Sequence, residues 1–171
     1  MDDGRLREVY AAAYPRLVGQ LTGVTGDPAE AEDVVMEAFA RAASRPRDFA
    51  DLDNPEAWLR TVAVNLARSR WRRMLRRSHL LPQLQTSEAY ADLPEDRLAL
   101  MAALHALPTG QREAIALHHL ADLPVAEVAL TLGVPEGTVK SRLFRGRRIL
   151  QKKLVNYAVE MGYIRLTPAA G

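Results

Sequence analysis

Lys140, Ser141, Phe144, Arg145 and Arg148 follow one another at steps of one, three, one and three residues. A helix would carry them on one arc of its surface. The cations on such an arc suit phosphate oxygens. The N-terminal half of the same helix would meet base edges in a major groove. Phe144 can rest on a thymine methyl or pack on a neighbour. A merely solvated Arg-rich helix ordinarily offsets its bases with Glu at i,i+4, yet no acid occurs from Gly137 to Val159. A second group lies in AWLRTVAVNLARSRWRRMLRR, Ala57 to Arg77. Trp58, Asn65, Ser69 and Arg72 fall roughly on one face, with Thr61 and Arg68 beside them. Aromatics stack on unpaired bases, amides read their edges and cations follow the backbone. Trp58 and Trp71 are also ordinary core residues, so stacking and packing both stay open. Ahead of them, Arg47 to Asp53 is acidic and is read as a loop exposing Phe49, able to accept a flipped base although its charge repels a backbone.

These side chains need helices to hold them. Val125, Val128, Ala129 and Leu132 make an amphipathic stripe of two turns. Gly133 follows where a left-handed residue ends a helix, and Val134-Pro135 makes a corner before a second helix from about Glu136. Helix, glycine turn and helix form a helix-turn-helix pattern. Val139, Leu143, Gly146, Leu150 and Leu154 are its buried stripe, with Gly146 allowing a close approach. Earlier, Asp27-Pro28 and Asn54-Pro55 each read as an N-cap followed by proline. Ala31, Val34, Val35, Ala38 and Ala42 line the first of these helices; Leu59, Val62, Ala63 and Leu66 line the second. Further helices are expected at about Arg97–Leu107 and Thr109–Leu120.

The fold class is therefore all-α: two small helical domains joined by a flexible linker, the second ending in the helix-turn-helix. The boundaries fall at 1–77, 78–96 for the linker, 97–157, and 158–171 for a short, loosely held tail. The chain of 171 residues has a formal net charge of only +2. Its charges are segregated, however: Lys and Arg cluster at Arg60–Arg77 and Lys140–Lys153, and acids at Asp27–Glu37 and Asp48–Glu56. Glu30, Asp33 and Glu37 line one helix face, suited to a basic coiled coil or simply to water. With no cysteine, thiolate metal sites and disulfides are excluded. His118 and His119 would point about 100° apart on a helix, a poor chelate. GTVKS lacks the glycine and strand of a phosphate loop. No metal, no cofactor and no catalysis are expected. Neither a signal peptide nor an apolar run of membrane-spanning length is present, so a cytoplasmic location is expected.

Four stretches together resemble the bacterial extracytoplasmic-function (ECF) sigma factors: DPAEAEDVVMEAFARA, NPEAWLRTVAVNLARSRWRR, ALPTGQREAIALHHLADLPVAEVALTLGV and PEGTVKSRLFRGRRIL. The resemblance implies a sigma region two in the first domain, which binds the RNA polymerase clamp and melts the minus-ten element. It implies a sigma region four in the second, which reads the minus-thirty-five element. By the same resemblance, Asp33, Met36, Glu37 and Arg41 contact core polymerase, with Met36 standing where the family commonly has Gln. Phe49, Asp51, Trp58, Arg60, Asn65, Arg68 and Arg72 meet the minus-ten element. Thr138, Lys140, Ser141, Arg142, Phe144, Arg145 and Arg148 read the minus-thirty-five element. Core RNA polymerase and promoter DNA are the implied partners, and many family members are also held by an anti-sigma factor. The rival readings are a stand-alone helix-turn-helix regulator, a metal or phosphate enzyme, and a sigma-like scaffold without promoter binding.

Overall fold

The computed structural model describes residues 3–77 and 94–163. Eight α-helices make up the described residues, and no strand occurs among them. In the first half these are α1 (Asp3–Thr25), α2 (Pro28–Ser44), a single short turn α3 (Pro46–Ala50) and α4 (Pro55–Arg77). In the second half they are α5 (Glu95–His105), α6 (Thr109–Ile115), α7 (Val125–Leu132) and α8 (Glu136–Glu160). A π-helical turn, Ala116–Leu120, extends α6.

Two different devices start the helices. In the first half a side chain caps: Asp27 Oδ1 accepts from the Ala29 amide at 2.9 Å, and Asn54 Oδ1 accepts from the Ala57 amide at 3.0 Å. Each is followed by a proline whose fixed φ already suits the first turn. In the second half proline itself is the entry residue, at Pro94, Pro108, Pro124 and Pro135, with no side-chain cap. The proline ring holds φ near its helical value while ψ stays extended. Its carbonyl then takes the first helical bond, from Val128 to Pro124 at 3.0 Å and from Val139 to Pro135 at 3.2 Å. Gly133 ends α7 at φ 64°, a left-handed value that glycine adopts without a Cβ clash. There the Val134 amide closes back on the Ala129 carbonyl at 3.1 Å.

The apolar stripes meet as their spacing predicts. Ala31, Val34, Val35, Ala38 and Ala42 of α2 are buried against α1 and α4, with Leu17, Leu21, Leu59 and Val64. Leu104, Leu117, Val128, Val139 and Leu143 form the centre of the second half. These two centres are continuous: α1 packs on α5, α6 and the π-helical turn, and α4 packs on α7. Gly23 permits that approach, since a Cβ there would come within 3.2 Å of the Ala116 Cβ and collide with Leu120.

Two boundaries differ from the sequence reading. The α5 helix begins at Glu95, inside the span assigned to the linker, whose other residues lie almost wholly outside the described ones. Ala158, Val159 and Glu160 belong to α8 and not to a tail. Met161 and Tyr163 continue from it in a turn bonded to Tyr157 and Ala158. There the Tyr163 and Tyr157 hydroxyls both donate to Asp96 Oδ1, at 3.3 and 3.0 Å. Residues 164–171 of the expected tail lie outside the described residues.

Candidate nucleic-acid interface

The helix-turn-helix presents α8 as one buried stripe and one charged arc. Val139, Leu143 and Gly146 face inward, and Leu150 and Leu154 are half-buried. At Gly146 a Cβ would come within 3.0 Å of Ile115 Cγ1 and 3.4 Å of Gln111 Cβ, so glycine sets how closely α8 meets α6. Lys140, Ser141, Phe144, Arg145 and Arg148 are all exposed on the outer arc. Phe144 is 61% exposed and lies outside the core. The Arg148 guanidinium lies 5.7 Å from its ring centroid, a cation–π contact that keeps the aromatic and the charge together. Thr138 is half-buried at the edge of this arc.

Arg142 departs from the expected set. Its guanidinium lies against Gly110 at the start of α6, where a Cβ would come within 2.9 Å of its Cζ. Its NH1 is enclosed. Arg142 therefore braces α8 on α6 in this arrangement and does not join the outer arc. The two histidines also diverge: His118 Nδ1 meets the Leu123 carbonyl at 2.7 Å, whereas His119 Nε2 accepts from Arg147 Nε at 3.1 Å. Burial, then Arg147 and His118, lower the His119 pKa below its ordinary value. No cluster of three or more His, Cys, Asp or Glu able to hold a metal occurs among the described residues.

On α4 the expected strand-binding residues separate into three groups. Asn65 and Arg72 are exposed, and Asp51 is exposed at the end of α3. Trp58 is half-buried with Phe49 edge-on to its ring at 5.9 Å between centroids. Phe49 is only 4% exposed, so the expectation of an exposed aromatic in a loop is corrected: it sits in the short helix α3 and packs inward. Arg60 is corrected likewise. It is 7% exposed, its Nε donates to Gln20 Oε1 at 2.9 Å, and its NH2 reaches Glu56 Oε1 at 3.4 Å. Gln20 is itself buried, and burial lowers the Arg60 pKa despite Glu56. Glu56 is also held by Arg16, at 2.8 and 2.5 Å, and its pKa falls below the ordinary value chiefly through that bond. Arg68 is half-buried and bonded to Glu113 of the second half. Gln20, Arg16 and Glu113 were not singled out from sequence; the charged pair Arg112-Glu113 inside the apolar run REAIAL was the one available signal.

The acidic face of α2 is partly satisfied from within. Arg70 of α4 places its NH2 2.8 Å from Glu37 Oε2, and its NH1 3.6 Å from Glu30 and 3.9 Å from Asp33. Arg41 NH2 lies 3.0 Å from Glu37 Oε1. The Arg70 hydrogen bond, with help from Arg41, holds the Glu37 carboxyl below its ordinary pKa, whereas burial raises that of Glu30. Asp33 remains the most outward acid, with 71% of its side chain exposed. Met36 is 47% exposed beside it, its Sδ 4.0 Å from the Tyr10 hydroxyl. Tyr10 in turn stacks on Tyr14 and meets Phe39 edge-on. The result is an apolar patch with an acidic rim.

Residues 9–77 match the family model for sigma-70 region 2, and residues 97–150 match that for sigma-70, region 4. The chain is 35% identical over 151 residues to an RNA polymerase sigma-E factor of Streptomyces antibioticus, covering 86% of this chain and 83% of that one. It is 35% identical over 143 residues to the ECF RNA polymerase sigma factor SigL of Mycobacterium tuberculosis, covering 80% and 81%. Among solved structures it is similar to the sigma factor RpoE in complex with the anti-sigma factor NepR from Bartonella quintana, with a TM-score of 0.69 and 26% identity over 86% of this chain and 95% of that one. It is also similar to CnrH in complex with the cytosolic domain of CnrY, with a TM-score of 0.63 and 26% identity over 88% of each. The chain belongs to the sigma-70 family of initiation factors, in its ECF group. It directs promoter-specific transcription initiation, with core RNA polymerase and promoter DNA as partners. No helix among the described residues is long and apolar enough to cross a membrane.

Proposed function

We propose that the outer arc of α8 reads the minus-thirty-five element, the exposed residues of α4 and α3 engage the melted minus-ten strand, and the face of α2 docks on the polymerase clamp. The observation that carries this reading is the outer arc itself: Lys140, Ser141, Phe144, Arg145 and Arg148 exposed on the second helix of a helix-turn-helix. Thr138 borders that arc. Cations there draw in duplex DNA through its phosphates, while side chains near the start of α8 reach base edges. Asn65, Asp51, Arg68 and Arg72 serve the strand, and Trp58 backs the site through Phe49. Asp33, Met36, Glu37 and Arg41 present the apolar patch with its acidic rim to a basic partner. The chain performs no catalysis of its own and acts in the cytoplasm. By likeness to the sigma factor solved with the anti-sigma factor NepR, an anti-sigma factor is a further partner.

Holoenzyme assembled with Lys140→Ala or Arg145→Ala tests the reading face. Each substitution should weaken promoter binding by about 1–3 kcal/mol where the side chain pairs with a base. Undiminished promoter binding by both variants would place the reading face elsewhere.

A further inference from the structure

Asp51 to Asn54 join α3 to α4. At the α3 end the Asp51 amide donates to the Arg47 carbonyl at 3.2 Å, and the Leu52 amide to the Phe49 carbonyl at 3.3 Å. At the α4 end the Asn54 side chain accepts from the Ala57 amide at 3.0 Å. Between them Leu52 is half-buried and packs against the core, whereas Asp51 and Asp53 on either side of it are exposed. The Leu52 carbonyl is taken by Arg5, whose NH2 donates there at 2.5 Å from the first turn of α1, 47 residues away in sequence. Arg5 is itself half-buried. About three turns further along α1, Arg16 holds Glu56 in the first turn of α4. One helix thus grips both the loop and the start of the helix that follows it.

We propose that Arg5 is a positioning residue for this loop: it holds the backbone around Leu52 in the form that lets Asp51 select an unstacked base of the minus-ten strand. The proposal deepens the assignment of Asp51 to that strand and rests on it. The Leu52 amide and carbonyl are both engaged, so the two planar peptide units flanking this residue, which lead to Asp51 and to Asp53, are both set. A charged donor binds a carbonyl more firmly than a neutral one. Charge acts in the same direction. Arg47 to Asp53 holds three aspartates against one arginine, a net −2, which repels a phosphate backbone, and Arg5 offsets one of those charges. A loop ordered in advance gives up less entropy when it closes on a ligand. Only a base that fits the loop gains from that order. Arg5 therefore acts on the choice of base and not on affinity alone.

Holoenzyme formed from core polymerase and the full chain tests this on a fragment that run-off transcription identifies as a promoter. Single-base changes across its minus-ten element give each variant's base preference, read as relative rates of strand opening from 2-aminopurine fluorescence in the melted segment. Arg5→Met keeps most of the apolar stem and removes the donor. It should narrow the preference for the favoured base by about three- to tenfold, the weight of one hydrogen bond, while the chain still co-elutes with core polymerase. Arg5→Lys retains the charge and a donor and should recover most of that preference. A merely structural role would slow opening on every fragment by one factor and leave the preference as it was; that result overturns the proposal. Asp51→Ala separates the proposal from the assignment beneath it. Lost preference in Asp51→Ala with none lost in Arg5→Met overturns the role of Arg5 and leaves the loop assignment standing. An unchanged preference in both variants overturns the loop assignment and the proposal together.

Discussion

Replacing Arg60 separates two roles that a cation in a DNA-binding helix can have. Its side chain lies among α1 and α4 residues, bonded to the buried Gln20 and to Glu56. In Arg60→Ala the Gln20 amide oxygen loses its partner without gaining water, at a cost of about 1–3 kcal/mol. Two buried methylenes are lost as well, at about 0.8 kcal/mol each. Glu56 adds little, because Arg16 still holds both of its oxygens. The expected destabilisation is about 3–5 kcal/mol, a large share of a small protein's stability. Arg60→Met keeps the stem and should lose about 1–3 kcal/mol. Adding Gln20→Leu to it should restore most of that loss, because both polar partners are then gone. Urea unfolding followed by far-ultraviolet circular dichroism measures all three. If Arg60→Ala unfolds at the wild-type midpoint yet loses single-strand binding, Arg60 is a strand contact and its placement in the core is wrong.

Phe144→Ala should change the urea midpoint by no more than about 0.5 kcal/mol, being a surface change, while weakening promoter binding by holoenzyme; a large loss of stability with normal binding would reverse the assignment. Gly146→Leu should destabilise by about 1–3 kcal/mol through overpacking against Ile115, and an unaltered midpoint would contradict the close approach of α8 to α6. Stability should also fall on mild acidification. Burial, and then Arg112 at His105 and Arg147 and His118 at His119, lower both pKa values below the ordinary histidine value. The folded chain therefore takes up these protons less readily than the unfolded chain. Stability is full above pH 6.5 and declines as pH drops from there towards the folded values. Gln at both positions should flatten that part of the pH profile of the urea midpoint, and an unchanged slope would count against the lowering of these two pKa values.

Local pattern carried the parts of this fold that local physics decides. The α2 stripe, the Gly133 turn and the Val139-Leu143-Gly146 ridge are all readable because periodicity alone says which face is dry. Cations resist that treatment. Arg60 and Arg142 sit in helices rich in arginine, and nothing in their neighbourhood distinguishes them from Arg72 or Arg145. Their fates are set by Gln20, forty residues away in sequence, and by Gly110, thirty-two residues away. The acidic flanks of Phe49 read as a loop, yet one short turn suffices to aim it at Trp58. The acidic face of α2 was legible as a face, but not its internal partner Arg70, which comes from α4. The contact between halves left only faint local traces, at Gly23 and at the Arg112-Glu113 pair. Such a seam is a property of two surfaces together, and neither segment announces it alone.

The most direct measurement is in vitro run-off transcription by purified core RNA polymerase on genomic fragments, with and without this chain. The account predicts discrete transcripts that require the chain and that disappear when Lys140 and Arg145 are both alanine. A chain that neither co-elutes with core polymerase nor adds a single start site would contradict it.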